Sequence, residues 1–302
     1  MEVLMADLAT RQNSARILDL QRAIAVTHER SQRVYTAALV LSIAVAALGI
    51  VAKIAPLTAA AVSLAGALWT GAYTIILSPW ADRYQRLSAA LQEMMDRALF
   101  DLPANPVLVG AAVPEDQLSD LKNRYRGQES WLRDYYVVAD VPDPYAALFC
   151  FEQNFAWGSK VRQRYAQMLA GLAVLWVATG VIVGLFTGMR VTALIGGWFV
   201  PSLGLLLLCL DTYRVQLSNN RERSRVREIV YGLSAESSTT RLTAGREWDA
   251  LARQFLDVLF TLRRQQARTP VWFFRRYHDH DQRDFEYRKQ VLEERFNRRP
   301  GP

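Results

Sequence analysis

The chain has 302 residues, 51% of them apolar, and carries a formal net charge of +7. Its mean hydropathy of +0.01 averages very apolar stretches with very charged ones, so the organisation lies in the pattern and not in the mean. Two cysteines, Cys150 and Cys209, exclude a disulfide framework or a cysteine metal motif.

Residues 1–35 form a charged N-terminal segment in which Ile17, Leu20, Ile24 and His28 recur at helical spacing. The segment is too long and too charged for a signal peptide. With no Pro or Gly before the first apolar stretch, its helix is expected to run on into that stretch. Thr36–Ala52 and Ile54–Ala81 are charge-free and separated by Lys53; Tyr165–Met189 and Val191–Leu210 form a second pair, separated by Arg190. Each stretch can cross about 30 Å of hydrocarbon as a helix. Four of them in two close pairs read as two transmembrane hairpins, over 36–81 and 165–210. A middle region, 82–164, and a C-terminal helical region, 211–302, complete the division.

Basic residues cluster at one end of every span: Arg30 and Arg33, Arg83 and Arg86, Lys160 with Arg162 and Arg164, then Arg214, Arg221 and Arg223. The tight turns carry only Lys53 and Arg190, so both termini and the middle loop are expected in the cytoplasm. The excess positive charge is concentrated after the fourth span, where it can anchor to anionic membrane lipid or form a basic pocket for an anionic ligand; charge alone does not separate the two. The spans contain no ionisable side chain at mid-depth, which counts against a secondary transporter. Gly180, Gly184 and Gly188, and likewise Ser63, Ala67 and Gly71, are spaced for close helix approach, within the chain or between subunits. Thr70, Thr74, Thr179 and Ser202 are expected to bond back to their own helices.

After the first hairpin, Leu87, Leu91, Met94 (or Met95), Ala98 and Leu102 form one apolar stripe, and Pro103 ends the helix. A short helix is expected near Pro114–Tyr125. Pro144 begins another, expected to continue through Ala146, Phe149 and Asn154 into the third span, so that Cys150, Asn154 and Trp157 share one face of it. Beyond the fourth span, helices are expected over Thr212–Leu233 and Arg246–Arg268, with a break at Ser234–Thr240 and a final charged helix after Pro270. The fold class is an all-α integral membrane protein with four spans and helical cytosolic extensions.

Little in the sequence points to catalysis. Glu93 and Asp96 place two carboxylates on one helix face, an arrangement a hydrolase can use but which solvated or ion-paired faces show far more often. In "YHDHD" (277–281), His278 and His280 point to different sides of a helix and the remaining histidine is His28, so no metal site is expected. A Gly-rich phosphate loop, a nucleophile elbow and a Cys pair are all missing, so the reading is a non-enzyme without a cofactor. The stretches "NRYRGQESWLRDYY" and "FCFEQNFAWGSKVRQRYAQM" are more informative. Base recognition uses aromatic planes for stacking, amides for base edges and Arg for phosphates. Aromatics that dock a small cytosolic core at the membrane surface would give the same composition.

Several separate stretches resemble the SMODS-associated four-transmembrane effector family. "RQNSARILDLQRA" is similar to its N-terminal helix through Arg16 and Gln21. "LQEMMDRALFDLPANP" resembles its post-span motif through Gln92, Glu93, Asp96, Leu102, Pro103 and Asn105. "WLRDYY" and "PYAALFCFEQNFAWGSKVRQRY" resemble the middle motif through Trp131, Tyr135, Cys150, Asn154, Trp157, Arg162, Arg164 and Tyr165. The C-terminal segment matches through Gln254, Asp257, Arg263, Pro270 and Trp272. The chain departs from the pattern at Phe151, where a Gln is expected, and at Gly158, where an acid is expected.

The resemblance implies an effector of bacterial anti-phage (CBASS) defence in the inner membrane. It would be activated by a cyclic di- or trinucleotide, act as a homo-oligomer and permeabilise the membrane, killing the infected cell. No DNA or RNA polymer is expected as a partner. On chemistry and proximity in sequence, the expected ligand contacts are Arg124, Trp131, Tyr135, Asn154, Trp157, Arg162 and Arg263. The competing readings are a ligand-independent ion channel similar in outline to bestrophins, and a membrane scaffold that recruits a soluble partner.

Overall fold

The computed structural model describes residues 5–51, 59–235, 245–266, 269–270, 273 and 278–297. A short α1 (Met5–Arg11) precedes α2 (Ala15–Val51), which runs without interruption from the extramembrane region through the first span. At about 1.5 Å per residue, a helix of 37 residues is about 55 Å long, well beyond the hydrocarbon core. The second span is α3 (Ala59–Ala72), which passes through a π-helical turn (Tyr73–Leu77) into α4 (Ser78–Phe100). Small helices α5 (Pro106–Val109) and α6 (Glu115–Asn123) follow, then α7 (Tyr145–Ala156). The third span is α8 (Ser159–Phe186). The fourth comprises α9 (Val191–Leu194), a second π-helical turn (Ile195–Phe199) and α10 (Val200–Ala235). Finally come α11 (Arg246–Arg264) and α12 (His278–Asn297).

Four helices are long and apolar enough to cross a membrane, and no strand occurs among the described residues. The chain is thus an all-α membrane protein with two transmembrane hairpins. Both π turns stand just before a proline, Pro79 and Pro201. A proline has no N–H to offer the carbonyl four residues back, and the wider turn lets the preceding residue bond five back instead: Ser78 N–H to Tyr73 O, and Val200 N–H to Ile195 O. The spans were expected to be regular helices here.

Within the membrane α10 is the central helix, packing against α2, α3 and α8. Polar side chains tie the spans together: Ser63 Oγ donates to Gly196 O (2.6 Å), Trp69 Nε1 to Ser42 Oγ (2.9 Å) and Trp176 Nε1 to Ser202 Oγ (2.8 Å). Thr70, Thr74, Thr179 and Ser202 donate back to carbonyls of their own helices, as expected. Of the small-residue stripes, Gly180 faces Trp198 and Gly184 faces Leu194, both inside the second hairpin. On the second span the close approach is made by Gly66, not Gly71: a Cβ on Gly66 would stand 2.5 Å from Pro201 Cα, whereas one on Gly71 meets nothing within 4 Å. Gly66→Ala is therefore expected to cost about 1–3 kcal/mol by forcing α3 from α10. Gly71→Ala serves as the neutral control in thermal unfolding of the detergent-solubilised protein, and equal melting of the two would refute the contact.

The extramembrane helices enclose two apolar clusters. One joins α2 (Ile17, Leu20, Ala23) to α4 (Leu91, Met95, Leu99) and α6 (Leu118, Leu121). The α4 stripe thus ends on Leu99, Ala98 is exposed, and Leu102, past the end of the helix, is buried in the other cluster. The other joins α7 (Leu148, Phe151, Phe155) to α10 (Val226, Val230) and α11 (Phe255, Leu256, Leu259). Residues Tyr145 to Phe155 of α7 are all buried, which makes α7 the hub of this region. Phe151 fills the space between Phe100, Phe255 and Trp248, with ring centroids 4.8, 5.5 and 6.3 Å away. An apolar ring suits that position better than the Gln of the family pattern. The break expected from Ser234 does not begin there, since α10 continues through Ser234 and Ala235; residues 236–240 and the side chains of His278 and His280 lie outside the described residues.

Candidate functional site

The helix expected to lead from α7 into the third span is broken. α7 stops at Ala156, and Gly158 turns the chain with φ +63° before α8 begins at Ser159. That left-handed conformation is easy for glycine and strained for an acid, which accounts for the second departure from the family pattern. Cys150, Asn154 and Trp157 therefore do not share one continuous helix into the membrane. Cys150 and Asn154 are buried on α7, while Trp157 lies past its end and stacks on Phe285 of α12 at 5.5 Å. α12 straps the joint: Arg288 pairs with Glu152 of α7, and Asp284 lies 3.8 Å from Lys160 of α8.

Beside the break, α4, α7, α8, α10 and α11 converge on a buried polar cluster. Asp96, fully buried on α4, accepts from Arg263 Nη1 (2.5 Å) and from the Tyr136 hydroxyl (2.7 Å). Asn154 lies between them: its Oδ1 accepts from Arg263 Nη2 (2.8 Å) and its Nδ2 donates to the Tyr136 hydroxyl (2.6 Å). Arg223 Nη1 of α10 donates to the Asn154 carbonyl (2.9 Å), and Arg162 Nη2 of α8 donates to the Trp157 carbonyl (2.7 Å). Both arginines thus cap the C-terminal end of α7, where carbonyls lack helical partners and the helix dipole favours cations. The cluster also reaches α2, because Gln85 Nε2 donates to the Arg263 carbonyl (2.6 Å) and Gln85 Oε1 accepts from Ser31 Oγ (3.3 Å).

Electrostatically the arginines differ. Burial opposes the Arg263 cation, but Asp96 and the adjacent tyrosines outweigh it and raise its pKa. Burial, together with repulsion from Arg162 and Arg263, pushes the Arg223 pKa well down. Burial and the Asp96 charge push the Tyr136 hydroxyl well up, so it stays a neutral donor. Burial likewise pushes the Cys150 thiol far up, leaving it inert.

Of the seven expected contacts, Asn154, Arg162 and Arg263 meet in this cluster. Tyr135 borders it, half-exposed, with its ring edge-on to Tyr136 at 4.8 Å. Trp157 stands at the neighbouring joint. Arg124 and Trp131 are surface side chains outside the buried cluster: Arg124 pairs with Asp120 at 3.1 Å, and Trp131 Nε1 donates to Gln128 Oε1 (3.1 Å). Asp96, Tyr136 and Arg223 were not expected there. The signal for Arg223 was its place one turn after Asn219 and three residues before Val226, on the inward face of α10.

A second ionic chain lies alongside. Arg253 of α11 pairs with buried Glu93 of α4 (2.6 Å), donates to the Pro103 carbonyl (2.9 Å) and pairs with Asp257, whose other oxygen accepts from Asn105 Nδ2 (2.9 Å). Glu93 and Asp96 thus each hold one arginine of α11, and the post-span and C-terminal motifs form one contact. No group of metal-ligating side chains was found among the described residues.

The sequence profile of the SMODS-associating 4TM effector domain matches residues 6–292. A "Probable CBASS effector molecule" from Bacillus cereus (strain VD146) is 22% identical over 277 residues, covering 87% of this chain and 90% of its own. No solved structure matches the chain.

Proposed function

The chain belongs to the SMODS-associating 4TM effector family, and from that premise we propose a membrane effector of anti-phage defence that a cyclic oligonucleotide switches on. The ligand binds the extramembrane helices on the cytoplasmic side, the spans rearrange, subunits assemble and the inner membrane loses its barrier. The action is non-enzymatic.

The observation that carries this reading is the attachment of one buried cluster to every span. Asp96 stands on the helix of the second span, Arg162 on that of the third and Arg223 on that of the fourth, while Gln85 links Ser31 of the first to Arg263. Rigid helices carry a shift at such a point into the membrane, and cores repack between discrete arrangements instead of deforming smoothly. A switch from about 1% to 99% active needs roughly 5.5 kcal/mol of differential affinity. A polyanion exchanging partners with several guanidiniums is suited to provide it. The apolar window of the second span is only 6% buried within the chain, which leaves a broad face for lipid or a second copy.

The test in cells co-expresses the chain with a cyclic-oligonucleotide synthase and follows uptake of a membrane-impermeant dye. Uptake is expected only when both are active. Cells that exclude the dye despite a high nucleotide level would refute the proposal.

A further inference from the structure

We infer that Arg223 anchors a phosphate group inside the core, and that the phosphate arrives through the groove between α10 and α11. The inference rests on the nucleotide-switched reading and assigns the atoms that receive the ligand's charge. Arg223 is 3% exposed, yet its described acceptors are both neutral: the Asn154 carbonyl at 2.9 Å and Gln266 Oε1 at 3.1 Å. Its neighbour Arg263 already holds Asp96, and the positive charges of Arg162 and Arg263 both act against it. The C-terminal end of α7 contributes about half a negative charge, and Arg162 draws on the same end. A cation this deep without a full counter-charge is held at a cost in free energy, which an incoming anion removes.

The groove gives the route. It encloses about 610 Å³, within the range of about 300–1,000 Å³ that small-molecule sites occupy. Ser218, Asn219, Arg221 and Gln265 are among its lining residues, and its two carboxylates are already paired, Glu222 with Arg225 of the same lining and Asp257 with Arg253. Asn219 lies one turn before Arg223 on α10, and Gln265 adjoins Gln266, whose side chain holds Arg223. Asn219 Nδ2 donates to the carbonyls of Leu262 (3.5 Å) and Gln265 (3.3 Å), which ties the groove lining to the end of α11, next to the Gln266 that holds Arg223. Swinging Gln266 aside opens the Arg223 fork to two oxygens of one phosphate, the geometry a guanidinium matches best. The amides and hydroxyls that line the groove suit the bases and sugars of a phosphodiester, and free phosphate shares only the anionic end of that chemistry.

The test is calorimetric titration of the full-length protein in detergent micelles, with cyclic di-AMP, cyclic di-GMP, a cyclic trinucleotide and inorganic phosphate as separate arms. The wild type is expected to bind at least one of them, and Arg223→Gln to weaken that binding about 10- to 100-fold. Arg223→Lys should fall between, and Arg214→Gln, far out on the surface of α10, should match the wild type. Inorganic phosphate binding as tightly as any nucleotide would assign the same site to free phosphate. Because Arg223 is underbalanced at rest, the ligand-free melting temperature of Arg223→Gln should stay close to that of the wild type, whereas a purely structural arginine would lower it. Undiminished binding by either Arg223 variant, or no binding by the wild type in any arm, overturns the inference. Binding that needs Arg223 without membrane leakage would sustain this site while sinking the switch; leakage by Arg223→Gln at wild-type nucleotide levels would do the reverse.

Discussion

Asp96→Ala is expected to destabilise the extramembrane region by about 3–5 kcal/mol, the usual result of removing one partner from a buried ion pair. Asp96 is fully buried and holds Arg263, itself 6% exposed, at 2.5 Å. Its loss would leave two neighbouring arginines, 223 and 263, with neutral acceptors, and would take from the Tyr136 hydroxyl the oxygen it donates to. Asp96→Asn keeps the shape and one acceptor, so it should fall between alanine and wild type. Unfolding of the detergent-solubilised protein, followed by near-ultraviolet circular dichroism, measures both. An Asp96→Ala shift below about 1 kcal/mol, the level of a surface pair, would mean that water reaches the cluster.

Phe151→Ala should cost a similar amount for a different reason. Truncating a fully buried Phe removes about 3–5 kcal/mol through lost transfer energy and the cavity left behind. Here the ring touches side chains from two other helices, Phe100 of α4 and Trp248 and Phe255 of α11, so collapse around the void would require α4, α7 and α11 to shift together. Phe151→Leu, which refills most of the volume, should recover much of the loss in the same melt. Equal destabilisation by Leu and Ala would point to a requirement for the ring itself.

The spans were the most legible part of the sequence, because a long charge-free run has one stable solution in a bilayer whatever its neighbours do. The helices at Glu115–Asn123 and Arg246–Arg264 followed from ordinary apolar periodicity. The break at Gly158 did not, since one glycine after a Trp is compatible with an unbroken helix until its φ is known. Nor did the π turns, although Pro79 and Pro201 were their marks.

For the candidate site, residue type alone brought Asn154, Arg162 and Arg263 forward. The same approach read Arg223 as a topology marker, because an arginine below a span looks alike whether it faces lipid headgroups or the core. Asp96 was read as part of a helix face that is solvated or ion-paired, and only the arrival of α11 from far along the chain shows which. Arg124 and Trp131 were chosen for their chemistry, and the fold leaves both on the surface.

The most direct measurement of the central claim uses purified protein in liposomes loaded with a self-quenched dye, with cyclic di- and trinucleotides added one at a time. The account predicts sealed vesicles without nucleotide, rapid dye release with one of the nucleotides, and no release by that nucleotide from vesicles carrying Arg263→Gln. Steady release without any nucleotide, or vesicles that stay sealed against all of them, would contradict it.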